Sequence, residues 1–244
     1  MKIGYSTDKG LRRPKNEDAV KVIPEERFFM LADGVGGNNA GDVASRKSLE
    51  ALEDYILNNP VDESKGKEAM FRYFEDAVNY VNEVIHLLSE EVDEYDGMAT
   101  TLVFAYIGSK ILYIANIGDS RVYLVHAGVM HQITEDHTYV NDLVKMGAIT
   151  REEAEHHKKK NVITRAIGEN AYSSPDCYNI YIENGDKILI CSDGLYDEVS
   201  EADIKAEISR EIDMDVCADN LVSMAINAGG SDNISVICIN MVED

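Results

Sequence analysis

The chain has no tryptophan, and its 244 residues include only 4 prolines and 4 cysteines. With so little proline and no Pro/Gly/Ser-rich tract, nothing divides it, so residues 1–244 are expected to form a single domain. The cysteines, Cys177, Cys191, Cys217 and Cys238, form no Cys-x-x-Cys pair and no zinc-like spacing. Cys191 and Cys238 fall inside apolar runs, where a free thiol behaves as a small core residue. All four read as reduced thiols of a cytoplasmic protein. No apolar run approaches the ~20 residues of a membrane helix, and residues 1–10 lack the apolar centre of a signal peptide. Positive charge is scarce: 23 Lys and Arg stand against 45 Asp and Glu, a net charge of −22. Such a surface repels nucleic acid and anionic membranes, so neither is expected as a partner. A phosphate-bearing substrate remains open to it if cations sit in its site.

A hydrophobic fraction of 45% is enough for a sizeable core. Short runs rich in β-branched and aromatic residues cover 19–23, 27–32, 101–107, 111–117, 121–126, 178–182, 187–191 and 234–241. Most are bounded by Gly, Asn, Asp or Pro and read as strands. Gly108-Ser109-Lys110 suits a hairpin turn between two of them. Helical stripes run over 42–57 and 69–88, with later helices over 200–210 and 213–228. Strands and helices do not alternate one for one, which argues against a doubly wound parallel sheet. The α+β alternative, antiparallel sheets with helices packed outside, fits better. Residues 136–169 are polar, carrying Glu152-Glu153, His156-His157 and Lys158-Lys159-Lys160, and read as a surface insertion of short helices.

The acidic residues have a pattern. Apolar runs lead into Asp33-Gly34, Gly118-Asp119 and Asp193-Gly194, and Asp232 immediately precedes the last one. One Asp-Gly after a strand is a turn. Several, each on a different core strand, can converge on one edge of a layered fold. Carboxylates brought together repel unless a cation neutralises them, and an all-oxygen set suits Mg²⁺ or Mn²⁺ rather than zinc. The stretch Arg13-Pro14-Lys15-Asn16-Glu17-Asp18 adds a guanidinium able to grip phosphate oxygens and two further carboxylates. The histidines 126, 131, 156 and 157 read as solvated or structural.

In order along the chain stand Arg13…Asn16-Glu17-Asp18, Leu31-Ala32-Asp33-Gly34-Val35-Gly36-Gly37, Ala40-Gly41-Asp42-Val43-Ala44-Ser45 and Met98-Ala99-Thr100-Thr101. Asn116-Ile117-Gly118-Asp119-Ser120-Arg121, Thr134-Glu135-Asp136-His137 and Ile163-Thr164-Arg165-Ala166-Ile167-Gly168 follow. Ser192-Asp193-Gly194-Leu195 and Ser231-Asp232-Asn233-Ile234-Ser235 close the series. This set resembles the metal-dependent protein phosphatases, the type 2C serine/threonine phosphatases, in their compact bacterial form, over essentially the whole chain. The resemblance implies a four-layer αββα sandwich of two antiparallel β-sheets flanked by pairs of helices, with residues 136–169 as a helical flap. It implies hydrolysis of phosphoserine and phosphothreonine in proteins by a hydroxide bridging two Mn²⁺ or Mg²⁺ ions. Asp33, Asp193 and Asp232 would hold the first ion, and Asp33 with the Gly34 carbonyl the second, with Glu17 and Asp18 near it. Asp119, with Asp193, would serve a third ion, and Arg13 would bind phosphate. The expected partners are phosphorylated proteins, a serine/threonine kinase among them, met by a monomer. Val35 departs from the eukaryotic pattern, which has a histidine there; it leaves the leaving-group acid open, a metal-bound water at the third site being one candidate.

Overall fold

The computed structural model describes residues 1–35, 40–170 and 173–242. Eleven strands are present among them: β1 (Lys2–Asp8), β2 (Asp18–Ile23), β3 (Phe28–Val35), β4 (Ala99–Thr100), β5 (Leu102–Ile107), β6 (Ile111–Ile117), β7 (Arg121–His126), β8 (Val129–Gln132), β9 (Asp176–Tyr181), β10 (Lys187–Cys191) and β11 (Ile234–Asn240). The helices are α1 (Gly41–Asn58), α2 (Lys67–Glu91), α3 (Tyr139–Lys145), α4 (Arg151–Glu155), α5 (Asp193–Tyr196), α6 (Glu201–Ile208) and α7 (Met214–Ala228). One sheet has the order β1-β11-β10-β7-β8, the other β2-β3-β5-β6-β9, with β4 added against β3. Every strand pairing is antiparallel.

Three separate apolar clusters divide the layers. Between the sheets lie Phe29, Leu31, Val103, Ile114, Val122, Ile190 and Ile237. Alternate residues of the same strands point the other way, because successive side chains leave opposite faces of a strand. Thus Phe28, Met30 and Phe104 pack under α1 and α2, and Leu189, Cys191, Val236 and Cys238 pack under α5, α6 and α7. This is the four-layer αββα sandwich. Both faces of the central strands are covered, which is why their sequences read as continuous apolar runs rather than alternating ones.

The helices form where their stripes direct. Along α2, Met70, Phe74, Ala77, Val81 and Ile85 are buried at helical spacing, and Phe74 stacks on Phe104 with centroids 4.8 Å apart. Asp213 caps α7 by accepting from the Asp215 N–H, and Ser200 caps α6 through the Asp203 N–H. No helix among the described residues is long and apolar enough to cross a membrane.

The hairpin at 108–110 is present, with the Gly108 N–H donating to the Ile111 carbonyl at 2.9 Å. Three strands go beyond the sequence reading: β1 and β8, at the two edges of their sheet, and the two-residue β4 paired against β3. β1 is pinned by α7 crossing it closely: a Cβ on Gly4 would stand 2.0 Å from the Met214 carbonyl carbon. Strand β3 also runs further than expected, so that Asp33 and Gly34 belong to the ladder and not to a turn. Antiparallel pairing with Asp18 on β2 and with Thr100 on β4 carries the strand onward. The 136–169 insertion contains α3 and α4. Thr138 caps the first, and a Thr150–Glu153 capping box opens the second.

Candidate metal-dependent active site

The acidic residues arrive at one end of the sandwich from both sheets. Asp33 and Asp18 are direct partners in the β2–β3 register. Asp193 is the first residue of α5, immediately after β10, and Asp232 precedes β11. Asp119 follows β6. A cleft of about 160 Å³ is lined by Arg13, Glu17, Asp33, Asp119, Asp193 and Asp232, together with Gly34, Val35 and, from the flap, Asn161 and Ile163. Asp18 is set apart from that wall. It is buried, and its Oδ2 accepts from the Ser192 hydroxyl at 2.8 Å. Gly36 and Gly37 lie outside the described residues.

Main-chain bonds fix these carboxylates. The Thr101 N–H and the Thr100 hydroxyl both donate to the Asp33 carbonyl, each at 2.8 Å. The Asp33 N–H donates to Thr101 Oγ1 at 3.0 Å. Gly34 must lack a side chain: a Cβ would meet the Gly41 carbonyl oxygen at 2.3 Å and that of Glu17 at 2.7 Å. The start of α1 is thereby packed directly against the acidic strand.

Burial and mutual repulsion dominate the electrostatics. Burial raises Asp33 and Asp193 well above the usual carboxylate range, and neighbouring aspartates add to this. Asp119 is pushed up to about 7, by burial first and then by Asp136. Asp18 rises to about 6 through burial, against hydrogen bonds from Ser235 and Ser192 that hold it down. One oxygen each of Asp18 and Asp193 is buried with no hydrogen-bond partner. Arg13 brings a cation to this group: its Nη2 donates to Asp232 Oδ2 at 2.6 Å at the solvent-facing lip.

A hard divalent cation fits these residues. Orphaned buried carboxylate oxygens want a positive partner, and neither His nor Cys lines the cleft. The carboxylates ring the cleft without closing on one point: among the described residues, no three His, Cys, Asp or Glu side chains stand at the spacing of a finished ligand cage.

Several residues that serve this site carried no individual role in the sequence. Asn233 accepts from the Glu17 N–H at 2.8 Å and donates to the carbonyls of Lys9 and Lys15, both at 3.0 Å. Lys15 reaches Asp42 at 2.7 Å and Glu17 at 3.0 Å. Arg121 grips Asp136 through Nε and Nη2 and stacks its guanidinium 3.5 Å from the centre of the Tyr196 ring. Tyr196 in turn donates to the Asp119 carbonyl at 3.0 Å. The base of the flap is thus clamped to the loop that carries Asp119. His137, buried, accepts from the Gly118 N–H at its Nδ1, 3.1 Å away, so its proton sits on Nε2, which faces Asp176. All but Lys15 and Tyr196 lie in the ordered motifs, but single residues there show no partners until the chain is folded.

A carboxylate-lined cleft at the end of a two-sheet sandwich defines an enzyme built to work with divalent cations on an anionic group. The chain belongs to the protein phosphatase 2C family, which matches residues 8–234. It is 37% identical to the protein phosphatase PhpP of Streptococcus pneumoniae, covering 100% of this chain and 99% of that protein. It is 34% identical to the serine/threonine phosphatase stp of Listeria innocua, over 98% of this chain and 95% of the other. Among solved structures, the serine/threonine phosphatase Stp1 from Staphylococcus aureus superposes with a TM-score of 0.91 at 33% identity, over 100% of this chain and 96% of that one. The catalytic domain of the serine threonine protein phosphatase PstP, in complex with 2 manganese ions, gives 0.86 at 34% identity, over 99% and 98% of the two chains.

Proposed function

We propose that this chain hydrolyses phosphoserine and phosphothreonine in proteins, using Mn²⁺ or Mg²⁺ held by Asp33, Asp193, Asp232 and the Gly34 carbonyl. Glu17 and Asp18 would stand near a second ion, and Asp119 would serve a third. The observation that carries this reading is the set of buried carboxylates with orphaned oxygens, with the Arg13 guanidinium on Asp232 at the lip. When bound, such ions polarise phosphoryl oxygens and make a water acidic enough to attack at neutral pH.

The chain's own residues supply the rest. Asp33 and Asp193 are carried on backbone fixed by strand pairing and by the start of α5, so side-chain rotation alone would bring their carboxylates onto a cation. Arg13 stands on Asp232. Once that carboxylate is taken by a cation, the guanidinium is available to two phosphate oxygens, a bidentate match that lysine cannot make. Val35, 37% exposed on the cleft wall, offers no proton to the departing serine or threonine oxygen. Protein phosphoserine is produced by protein kinases, so the enzyme would oppose one. Four free thiols, three of them buried, suit a reducing cytoplasm.

The test is hydrolysis of a phosphothreonine peptide by purified protein with and without Mn²⁺. Turnover should require the metal and should be lost in Asp193→Ala. Metal-independent turnover, or an Asp193→Ala variant as fast as the parent, would show that the carboxylates do not work through a cation.

A further inference from the structure

Positive charge is scarce on this protein, yet it is concentrated at one lip of the cleft. Residues 9–15 read Lys-Gly-Leu-Arg-Arg-Pro-Lys, four cations in seven residues of a chain with a net charge of −22. Lys9, Arg12, Arg13 and Lys15 are all exposed. The loop is fixed to the site. Asn233 donates to the carbonyls of both its ends, Lys9 and Lys15, and the Leu11 N–H donates to the Gly230 carbonyl at 2.8 Å. The loop backbone is therefore held against Asp232: a Cβ on Gly10 would meet the Asp232 carbonyl oxygen at 2.2 Å.

The four cations differ in what they face. Arg13 is on Asp232, and Lys15 is on Glu17 and Asp42. Lys9 and Arg12 have no acidic partner among the described residues, and both are exposed to solvent on the loop that carries Arg13 to the cleft. The flap lip is different. Lys160 is paired with Asp197 at 2.8 Å, and Lys158 and Lys159 share their pocket with Glu152 and Glu153. Acidic and basic side chains are interspersed on that side.

An acidic protein repels an anionic substrate over a Debye length of about 8 Å at physiological salt. Two exposed cations without an acidic partner, on a loop fixed beside the cleft, oppose that repulsion locally. We infer that Lys9 and Arg12 form a docking ledge for acidic side chains flanking the phosphorylated residue, so that the enzyme prefers phosphoprotein segments rich in Asp and Glu. This rests on the phosphatase reading above and narrows its substrate class.

The experiment compares kcat/KM of the full chain, with Mn²⁺, on two phosphothreonine peptides that differ only in Asp and Glu against Ala and Gln beside the phosphothreonine. The acidic peptide should be favoured roughly three- to tenfold, mainly through KM, with the gap narrowing at high salt. Lys9→Glu with Arg12→Glu should erase or invert the ratio, and the neutral pair Lys9→Gln with Arg12→Gln should fall between. All variants should turn over p-nitrophenyl phosphate as the parent does. Equal kcat/KM for the two peptides, or a preference that survives the charge reversal, would overturn the inference while leaving the phosphatase reading standing. A parent without turnover on any of these substrates would remove both.

Discussion

Replacing Asn233 with alanine should be among the most damaging single changes near the cleft, although this residue touches neither phosphate nor metal in the scheme above. Its amide makes three hydrogen bonds, to the Glu17 N–H and to the carbonyls of Lys9 and Lys15, and the residue is 4% exposed. Truncation strands one donor and two acceptors in a partly buried corner. At about 1 kcal/mol for each lost bond, the loss is about 3 kcal/mol. A domain of this size loses about 2–4 °C of melting temperature per kcal/mol, so a fall of about 6–12 °C is expected. The assay is thermal denaturation followed by circular dichroism in EDTA, where no metal contributes to the change. Because the same amide carries both ends of the 9–15 loop, KM for a phosphopeptide should rise at a temperature where the variant is still fully folded. A melting temperature within about 1 °C of the parent, with KM unchanged, would refute the idea that this amide pins the loop to the site.

Three further outcomes follow from the same geometry. Asp193→Asn removes a buried charge that has an orphaned oxygen, so it should raise the melting temperature in EDTA while shrinking the increment that Mn²⁺ gives the parent, about 2.7 kcal/mol at a hundredfold excess over Kd. An unchanged increment, or unchanged heat in a calorimetric Mn²⁺ titration, would place the ion elsewhere. Gly34→Ala forces a Cβ against two main-chain oxygens and should cost about 3 kcal/mol, the upper end for overpacking, read as a fall in the urea midpoint. His126 Nδ1–H donates to Asp186 Oδ1 at 2.8 Å, and this contact raises the histidine pKa above its usual value. That stabilisation is complete below the unfolded value near ~6.5 and is lost as pH rises through the higher folded one. The melting-temperature gap between parent and His126→Gln should therefore be widest at about pH 6 and close toward pH 9; a gap that is constant with pH would contradict the pairing.

The sequence was most legible where strands are buried on both faces. Strands 111–117, 121–126 and 187–191 match their sequence runs residue for residue, because an unbroken apolar run bounded by Gly or Asp admits little else. The strands it did not reveal are Lys2–Asp8 and Val129–Gln132, edge strands with exposed positions at Tyr5, Thr7, Val129 and Gln132, and the two-residue Ala99–Thr100 added against β3. Their ladder bonds come from a neighbour and leave little trace in their own apolar content. Asp33 was visible, but its place within a strand was not, since only the pairing of Asp18 opposite it and of Thr100 beyond it carries β3 through Gly34. In the site, chemical type gave the carboxylates away. Asn233, Arg121 and His137 work through partners far along the chain: Glu17 is 216 residues from Asn233. Spacing along the sequence holds no signal for such contacts.

The acidic ring is drawn from two separate sheets, with Asp18 and Asp33 on one and Asp193 and Asp232 at the strand ends of the other. Ser192 and Asp18 form a direct hydrogen bond between the two, and Asn233 and Glu17 form another. The end of the sandwich that does chemistry is therefore also its seam. A cation shared by Asp33 and Asp193 would act as a rivet across that seam, and sliding of one sheet over the other would open the ligand set before it disturbed either hydrophobic layer outside. Catalytic competence in this architecture is a gauge of how well two independently packed halves stay in register.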